Sequence, residues 1–218
     1  MAEEIPYRVR RSPRARRVLV HVHLDGSVEV VLPPRAPAAS APAAMLELRP
    51  WLDHRLAELQ RAREEIAVRA GTVPLLGRAL ELVPEPGRTR VHRRGDRLHV
   101  PDGDHRPALE RWYRRAAREE VGARLDRAVA LVGTSYRSLS IRGQRTRWAS
   151  CTREGHMSFN WRLLLAPEPV LDYVVWHEVC HLEILDHSPR FWALVEQRCP
   201  EARAHAAWLR RHGAALVL

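Results

Sequence analysis

The stretch Trp176-His177-Glu178-Val179-Cys180-His181, with His187 six residues past its end, decides how the rest of the chain is read. An α-helix turns about 100° per residue, so side chains four apart stack on one face. His177 and His181 then stand side by side, with Cβ atoms roughly 5–6 Å apart. That separation lets one nitrogen from each ring converge on a single Zn²⁺ at about 2.0–2.1 Å. Glu178 comes one step round the helix, near enough to act on a water without being a ligand.

From Val170 to Leu185 the apolar residues Val170, Leu171, Val174, Val175, Val179, Leu182 and Leu185 leave a polar stripe only at Asp172 and Glu183. A helix apolar nearly all round is a buried one. His177, Glu178 and His181 inside it need partners, and a metal ion satisfies all three together. Pro167 and Pro169 suit the first turn of this helix. It is expected to end by about Asp186, because Ser188-Pro189 reads as the cap and first turn of a new helix. His187 then falls on a corner and can be turned back toward the first two histidines. Ile184 stands where a glycine would permit a left-handed turn, and a β-branched residue resists positive φ. That turn is therefore expected at Leu185 or Asp186. A glutamate from a later helix, Glu196 or Glu201, is the alternative third ligand.

The chain is 218 residues long, enough for one large domain or two small ones. Three scattered cysteines (Cys151, Cys180, Cys199) argue against a disulfide framework and for a reducing compartment. Neither Cys151 nor Cys180 has the partner spacing of a ligand or nucleophile. Met1-Ala2-Glu3-Glu4 lacks the pattern of a signal peptide, and no apolar run approaches the ~20 residues of a membrane span. A cytoplasmic protein with no membrane association is expected. The formal net charge is +10, and all 36 basic residues are arginine. Their dispersal along the chain reads as a solvated surface rather than a nucleic-acid-binding module.

Taken in order, residues 5–32 read as a short strand and then a hairpin, residues 18–24 and 28–32 flanking the turn signal Asp25-Gly26. An Ala/Pro-rich connector leads into a helical stretch reaching about Glu65 and broken near Pro50. Short β-type runs follow from Thr72 to Val100. A long amphipathic helix spans about Pro107 to Val132. Next come a strand at 135–141, a loop over 142–155 and a strand at His156–Asn160. Beyond the motif helix, further helices carry Phe191 and Trp192, then Trp208 and Leu209.

Five stretches carry a resemblance to a known family: Arg147-Trp148-Ala149-Ser150-Cys151, Asn160-Trp161-Arg162-Leu163, Asp172-Tyr173-Val174-Val175, His177 to Leu182, and His187-Ser188-Pro189-Arg190-Phe191-Trp192. In order and approximate spacing they resemble the YgjP-like metallopeptidase-domain family of metal-dependent hydrolases. The likeness is specific over Arg147–Trp192 and looser in the N-terminal hairpin and helix. Ala149 stands where glycine is common, and Val179-Cys180 where Leu-Ala is usual; neither swap removes a candidate ligand. The resemblance implies a zincin-type metal site and kinship with SprT-like and WLM proteases.

The expectation is an α+β protein, with a β-rich N-terminal part over residues 1–103 and a zincin-like metallopeptidase domain carrying the HExxH helix over 104–218. Its activity would be zinc-dependent hydrolysis of peptide bonds in a peptide or protein substrate. One Zn²⁺ per chain would be held by His177, His181 and His187, with Glu178 as general base. Arg147, Trp148, Asn160, Arg162 and Tyr173 are candidates for substrate contact. The strand at His156–Asn160 is expected to pair along its edge with an extended substrate. The Arg147–Cys151 loop either lines the cleft or forms a buried corner. The alternative function is a nucleic-acid-associated protein: a protease acting on DNA-bound proteins, as the SprT and WLM kinship implies, or a protein whose zinc is only structural. Hydrolysis of a non-peptide amide is a third reading. Any affinity for nucleic acid is expected to be weak and non-specific.

Overall fold

The computed structural model describes residues 4–23, 26–66, 71–144 and 146–218, which form two compact units. One unit holds the residues up to Ile66 together with Arg211–Ala215. Its strands Tyr7–Arg11 (β1), Leu19–Val22 (β2) and Val28–Leu32 (β3) make a sheet ordered β1-β3-β2. β2 and β3 are the expected antiparallel hairpin, with Val20 opposite Val30. Gly26, at φ +80°, supplies the left-handed residue that the turn requires; Asp25 lies outside the described residues. β1 runs parallel to β3. Val28, Val30 and Leu32 alternate onto one face of β3 and pack with Ala41, Met45 and Leu52. Those three come from helices Ser40–Glu47 (α1) and Arg49–Ile66 (α2). The break between α1 and α2 puts Pro50 in a first turn, where its missing N–H costs no hydrogen bond. From 211–215, Ala214 and Ala215 pack with Leu59.

The second unit runs from residue 71 to Arg210 and adds Leu216–Leu218. The expected boundary at residue 103 falls inside it. Strands Thr72–Leu75 (β4), Arg78–Glu85 (β5), His92–Arg94 (β6) and Arg97–Pro101 (β7) form a sheet ordered β4-β5-β7-β6. Helix Arg106–Val132 (α3) follows, close to its expected limits, with Leu109, Trp112, Tyr113, Ala117, Val121 and Leu125 buried at helical spacing. Tyr113 ties α3 to β4 by donating its hydroxyl to the Pro74 carbonyl at 2.5 Å. This sheet and helix are therefore packed as one body, which hydrophobic periodicity along the chain does not reveal.

Strands Ser138–Arg142 (β8), Ala149–Cys151 (β9) and His156–Asn160 (β10) form the third sheet, ordered β8-β10-β9. β10 is parallel to β8 and antiparallel to β9. After a 3₁₀ turn at Trp161–Leu165 come helices Glu168–Cys180 (α4), Pro189–Arg198 (α5) and Ala202–His212 (α6). The described residues thus contain six α-helices and three small sheets, a mixed α+β arrangement. No helix among them is long and apolar enough to cross a membrane.

Candidate metal centre

α4 is buried as its composition demands: Val170, Leu171, Val174, Val175 and Val179 are all at most 4% exposed. Burial on that helix delivers Glu178 and His181 to the interior at 4% and 8% exposure. The helix stops at Cys180, however, about six residues before the expected end near Asp186. There the backbone tightens to 3₁₀-type bonds, from His181 N to Glu178 O, Leu182 N to Val179 O and Glu183 N to Cys180 O. His181 Nδ1 lies 3.0 Å from the Ile184 carbonyl, which captures the emerging chain. The expected left-handed residue at Leu185 or Asp186 is not found; Leu76 alone among the described non-glycine residues has positive φ. Instead Asp186 Oδ1 accepts from Ser188 N at 3.0 Å, a side-chain turn that closes the corner without strain.

That corner brings His187 back to the motif. The nearest ring nitrogens of His177, His181 and His187 all lie within 4.8 Å of one another. His177 Nε2 and His187 Nε2 are 3.2 Å apart. Two nitrogens on one tetrahedral Zn²⁺ at ~2.05 Å would stand ~3.3 Å apart, so this spacing suits a shared ion. The Ile184 carbonyl can only accept, so His181 Nδ1 carries the proton and Nε2 is left with its lone pair. Burial, reinforced by His181 and His187, pushes His177 down from 6.5 to about 3. His177 is thus neutral, and able to ligate, at ordinary pH. Two buried polar atoms here have no partner, His177 Nδ1 and Glu178 Oε2. Burial raises the Glu178 carboxyl from 4.5 to about 8, against the opposing charge of Arg147. Three converging imidazoles beside a carboxyl group with an unpartnered oxygen fit a divalent cation. Glu196 and Glu201 do not join the set: Glu196 pairs with Arg203 and Glu201 with His205.

An aromatic cage holds the rings. Phe191 stacks on His181 with centroids 4.4 Å apart and planes at 18°, and meets His177 edge-on at 4.9 Å. Trp192 lies 5.7 Å from His177 and 6.0 Å from His187. Tyr173, one turn before His177, contacts its ring at 5.9 Å. Phe191 and Trp192 are not among the residues that sequence reasoning selects. Their signals are that they close the last of the five stretches that carry the family resemblance and that they fall four and five residues after His187, on the helix that begins there.

The histidines open onto a cavity of about 290 Å³ whose far wall is Arg147, Ala149, Ser150 and Cys151. The Arg147–Cys151 loop is thus a cleft wall, with Cys151 part of it. Burial and the neighbouring Glu178 raise the Cys151 thiol to about 11, so it is protonated and inert near neutrality. Of the five candidates for substrate contact, Arg147 lines this cavity and Tyr173 backs His177. The other three are not among the residues that line it. Trp148 offers its carbonyl to Asn160 N at 2.8 Å. Asn160 is fully buried; it caps the 3₁₀ turn through Arg162 N and donates to the Gln144 carbonyl. Arg162 lies over the Trp161 ring at 4.7 Å. β10 is the middle strand of its sheet, with both edges paired, so it has no edge to offer an extended substrate. The free edge beside the cavity belongs to β9.

The fold and this triple-histidine centre define a class of protein, an α+β protein built around a candidate metal site. A family model described as YgjP-like, metallopeptidase domain, matches residues 16–212. The chain belongs to this YgjP-like metallopeptidase-domain family, which places it among metal-dependent peptidases. Among solved structures, the crystal structure of the metallopeptidase zymogen of Pyrococcus abyssi abylysin is similar at 25% identity. That match covers 42% of this chain and 96% of the other, with a TM-score of 0.36. No curated protein matches the chain.

Proposed function

We propose that the chain is a zinc-dependent metallopeptidase that hydrolyses peptide bonds, with His177, His181 and His187 as the ligands of one Zn²⁺ and Glu178 as general base. The observation that carries the reading is the convergence of three imidazole nitrogens within 4.8 Å, beside a buried carboxylate that has no other partner at Oε2. When bound, zinc supplies Lewis acidity, which polarises the scissile carbonyl and makes the attacking water more acidic. Glu178 Oε2 takes the proton from that water and returns it to the leaving amine. Arg147, on the opposite wall, favours the ionised form that Glu178 needs in order to accept. The Ile184 carbonyl fixes the His181 tautomer, and Phe191 holds the plane of that ring, so the ligand set is oriented in advance. A substrate laid as an added strand along β9 would pass over the cavity that Ala149, Ser150 and Cys151 line.

The test is cleavage of a peptide library by purified protein, before and after chelation. Cleavage that stops on metal removal and returns with added Zn²⁺ is the expected result. Cleavage unaffected by complete metal removal would contradict the reading.

A further inference from the structure

One recess of the second unit, about 150 Å³ in volume, shares no lining residue with the cavity at the histidines. α3 supplies Ala108, Arg111, Trp112 and Arg115, which stand at i, i+3, i+4 and i+7 and so form one stripe of the helix. Arg90 and Val91 come from the loop between β5 and β6. Val91, Ala108 and Trp112 are buried and make an apolar floor. The three arginines are exposed and make the rim. Ala108 stops at Cβ, which leaves the space above it open.

The charges on this rim have no counter-charge. Nearby arginines are held: Arg88 by Glu85, Arg93 by the Gly95 carbonyl, Arg114 by Glu110 and Arg118 by the Leu139 carbonyl. Arg90, Arg111 and Arg115 form no hydrogen bond or ion pair among the described residues, not even Arg115 with Glu119 one turn on. Like charges one turn apart on a helix repel, and Arg90 brings a third cation to the same hollow. An anion seated among them removes that repulsion. Guanidinium groups present planar forks of donors that match phosphate oxygens two at a time. Volume limits the size of the occupant. At ~30 Å³ for each water the recess holds about five, the heavy-atom count of one phosphate group. It falls well short of the ~300 Å³ at which sites for larger ligands begin. A phosphomonoester carries nearly two negative charges near neutrality and enters end-on, whereas a backbone diester carries one and continues on both sides. We propose that this recess is a phosphate-binding site for free phosphate or the terminal group of a small phosphomonoester, with Arg90, Arg111 and Arg115 as its donors. The site is independent of the metal centre and of the reaction proposed there.

Titration calorimetry of the purified protein, near neutral pH and at fixed ionic strength, tests this with inorganic phosphate and glycerol phosphate as probes. At least one probe should bind at one site per chain with a dissociation constant below about 1 mM, and the tighter of the two identifies the source. Arg111→Gln should weaken that binding by about tenfold or more; Arg111→Lys, which keeps the charge and loses the fork, should weaken it less. Arg78→Gln, which removes an exposed arginine outside the recess, should change it by less than about twofold. The tighter probe should also raise the urea midpoint of the unsubstituted protein and not that of Arg111→Gln. No saturable binding, or equal weakening in Arg111→Gln and Arg78→Gln, overturns the site. Binding that all the variants retain overturns it as well, since the anion would then sit elsewhere. A short oligonucleotide without a terminal phosphate that binds more tightly than both probes, and loses as much in Arg111→Gln, would make the recess a nucleic-acid contact and overturn the monoester assignment.

Discussion

Glu178 is held between two opposing influences: burial drives its carboxyl up to about 8, while the charge of Arg147 draws it down. In metal-free protein the sign of its effect on stability follows. The folded state keeps a proton that the unfolded state releases above 4.5, so this contribution is complete below 4.5 and is lost as pH rises through about 8. His177 acts the other way. Its folded value of about 3 lies below the ordinary 6.5, so stability falls as pH drops below 6.5 and the unfolded chain takes up the proton. Between 4.5 and 6.5 the two slopes oppose each other; from 6.5 to about 8 Glu178 acts alone. Chelated protein should therefore lose urea stability between pH 6.5 and 8.5, and chelated Glu178→Gln should not; parallel slopes in the two proteins would refute the burial of this proton. At this scale the spacing of His177, Glu178 and His181 made them legible as a set. The groups that orient them were not. The Ile184 carbonyl is a backbone atom without a sequence signature, and Phe191 reads as the apolar face of an ordinary amphipathic helix. Asn160 drew notice for a polar character that the fold spends on capping the 3₁₀ turn.

α3 is clamped to α4, the helix that carries the site, by one buried cation. Arg124, its side chain 7% exposed, donates to Glu120 on its own helix, and across to Glu168 and Asp172 of α4, the last at 2.8 Å. The three acids keep 40%, 56% and 46% exposure. On loss of Arg124 they rehydrate, so the cost is about 1–2 kcal/mol rather than the 3–5 of a fully buried pair. Arg124→Ala should lower the urea midpoint accordingly and leave zinc stoichiometry unchanged; a loss of zinc with no loss of stability would mean that Arg124 acts on the site itself. Elements long enough to show a period were legible: α3, the β2–β3 hairpin and β10 stand close to where residue pattern puts them. β9 was not, because Ala149-Ser150-Cys151 is too short to alternate and owes its place to pairing with β10. The early end of α4 was hidden for a related reason. Val179, Leu182 and Leu185 continue the apolar pattern, while the backbone bonds donated by His181, Leu182 and Glu183 have already shifted to the 3₁₀ type.

Over the whole molecule the arginines are spread through both units, and many are already paired with acids, as Arg10 is with Glu29, Arg97 with Glu81 and Arg198 with Glu183. Affinity for DNA should accordingly be weak, indifferent to sequence and steeply lost with salt, which a titration of binding against ionic strength checks. Tight binding that survives raised salt and prefers one sequence would show a nucleic-acid site that this distribution of charge does not form. The division of the chain was the least legible feature at this scale. The β4–β7 sheet packs with α3, and residues 211–215 return to the N-terminal unit, pairings between segments far apart in sequence. The central claim is narrower: three histidines hold zinc and Glu178 does not. Metal content by mass spectrometry, compared in the unsubstituted protein, Glu178→Gln and His187→Ala, tests it most directly. About one equivalent of zinc is expected in the first two, with hydrolysis lost in Glu178→Gln, and weakly held or absent zinc in His187→Ala. Zinc lost from Glu178→Gln, or held by His187→Ala as tightly as before, would contradict it.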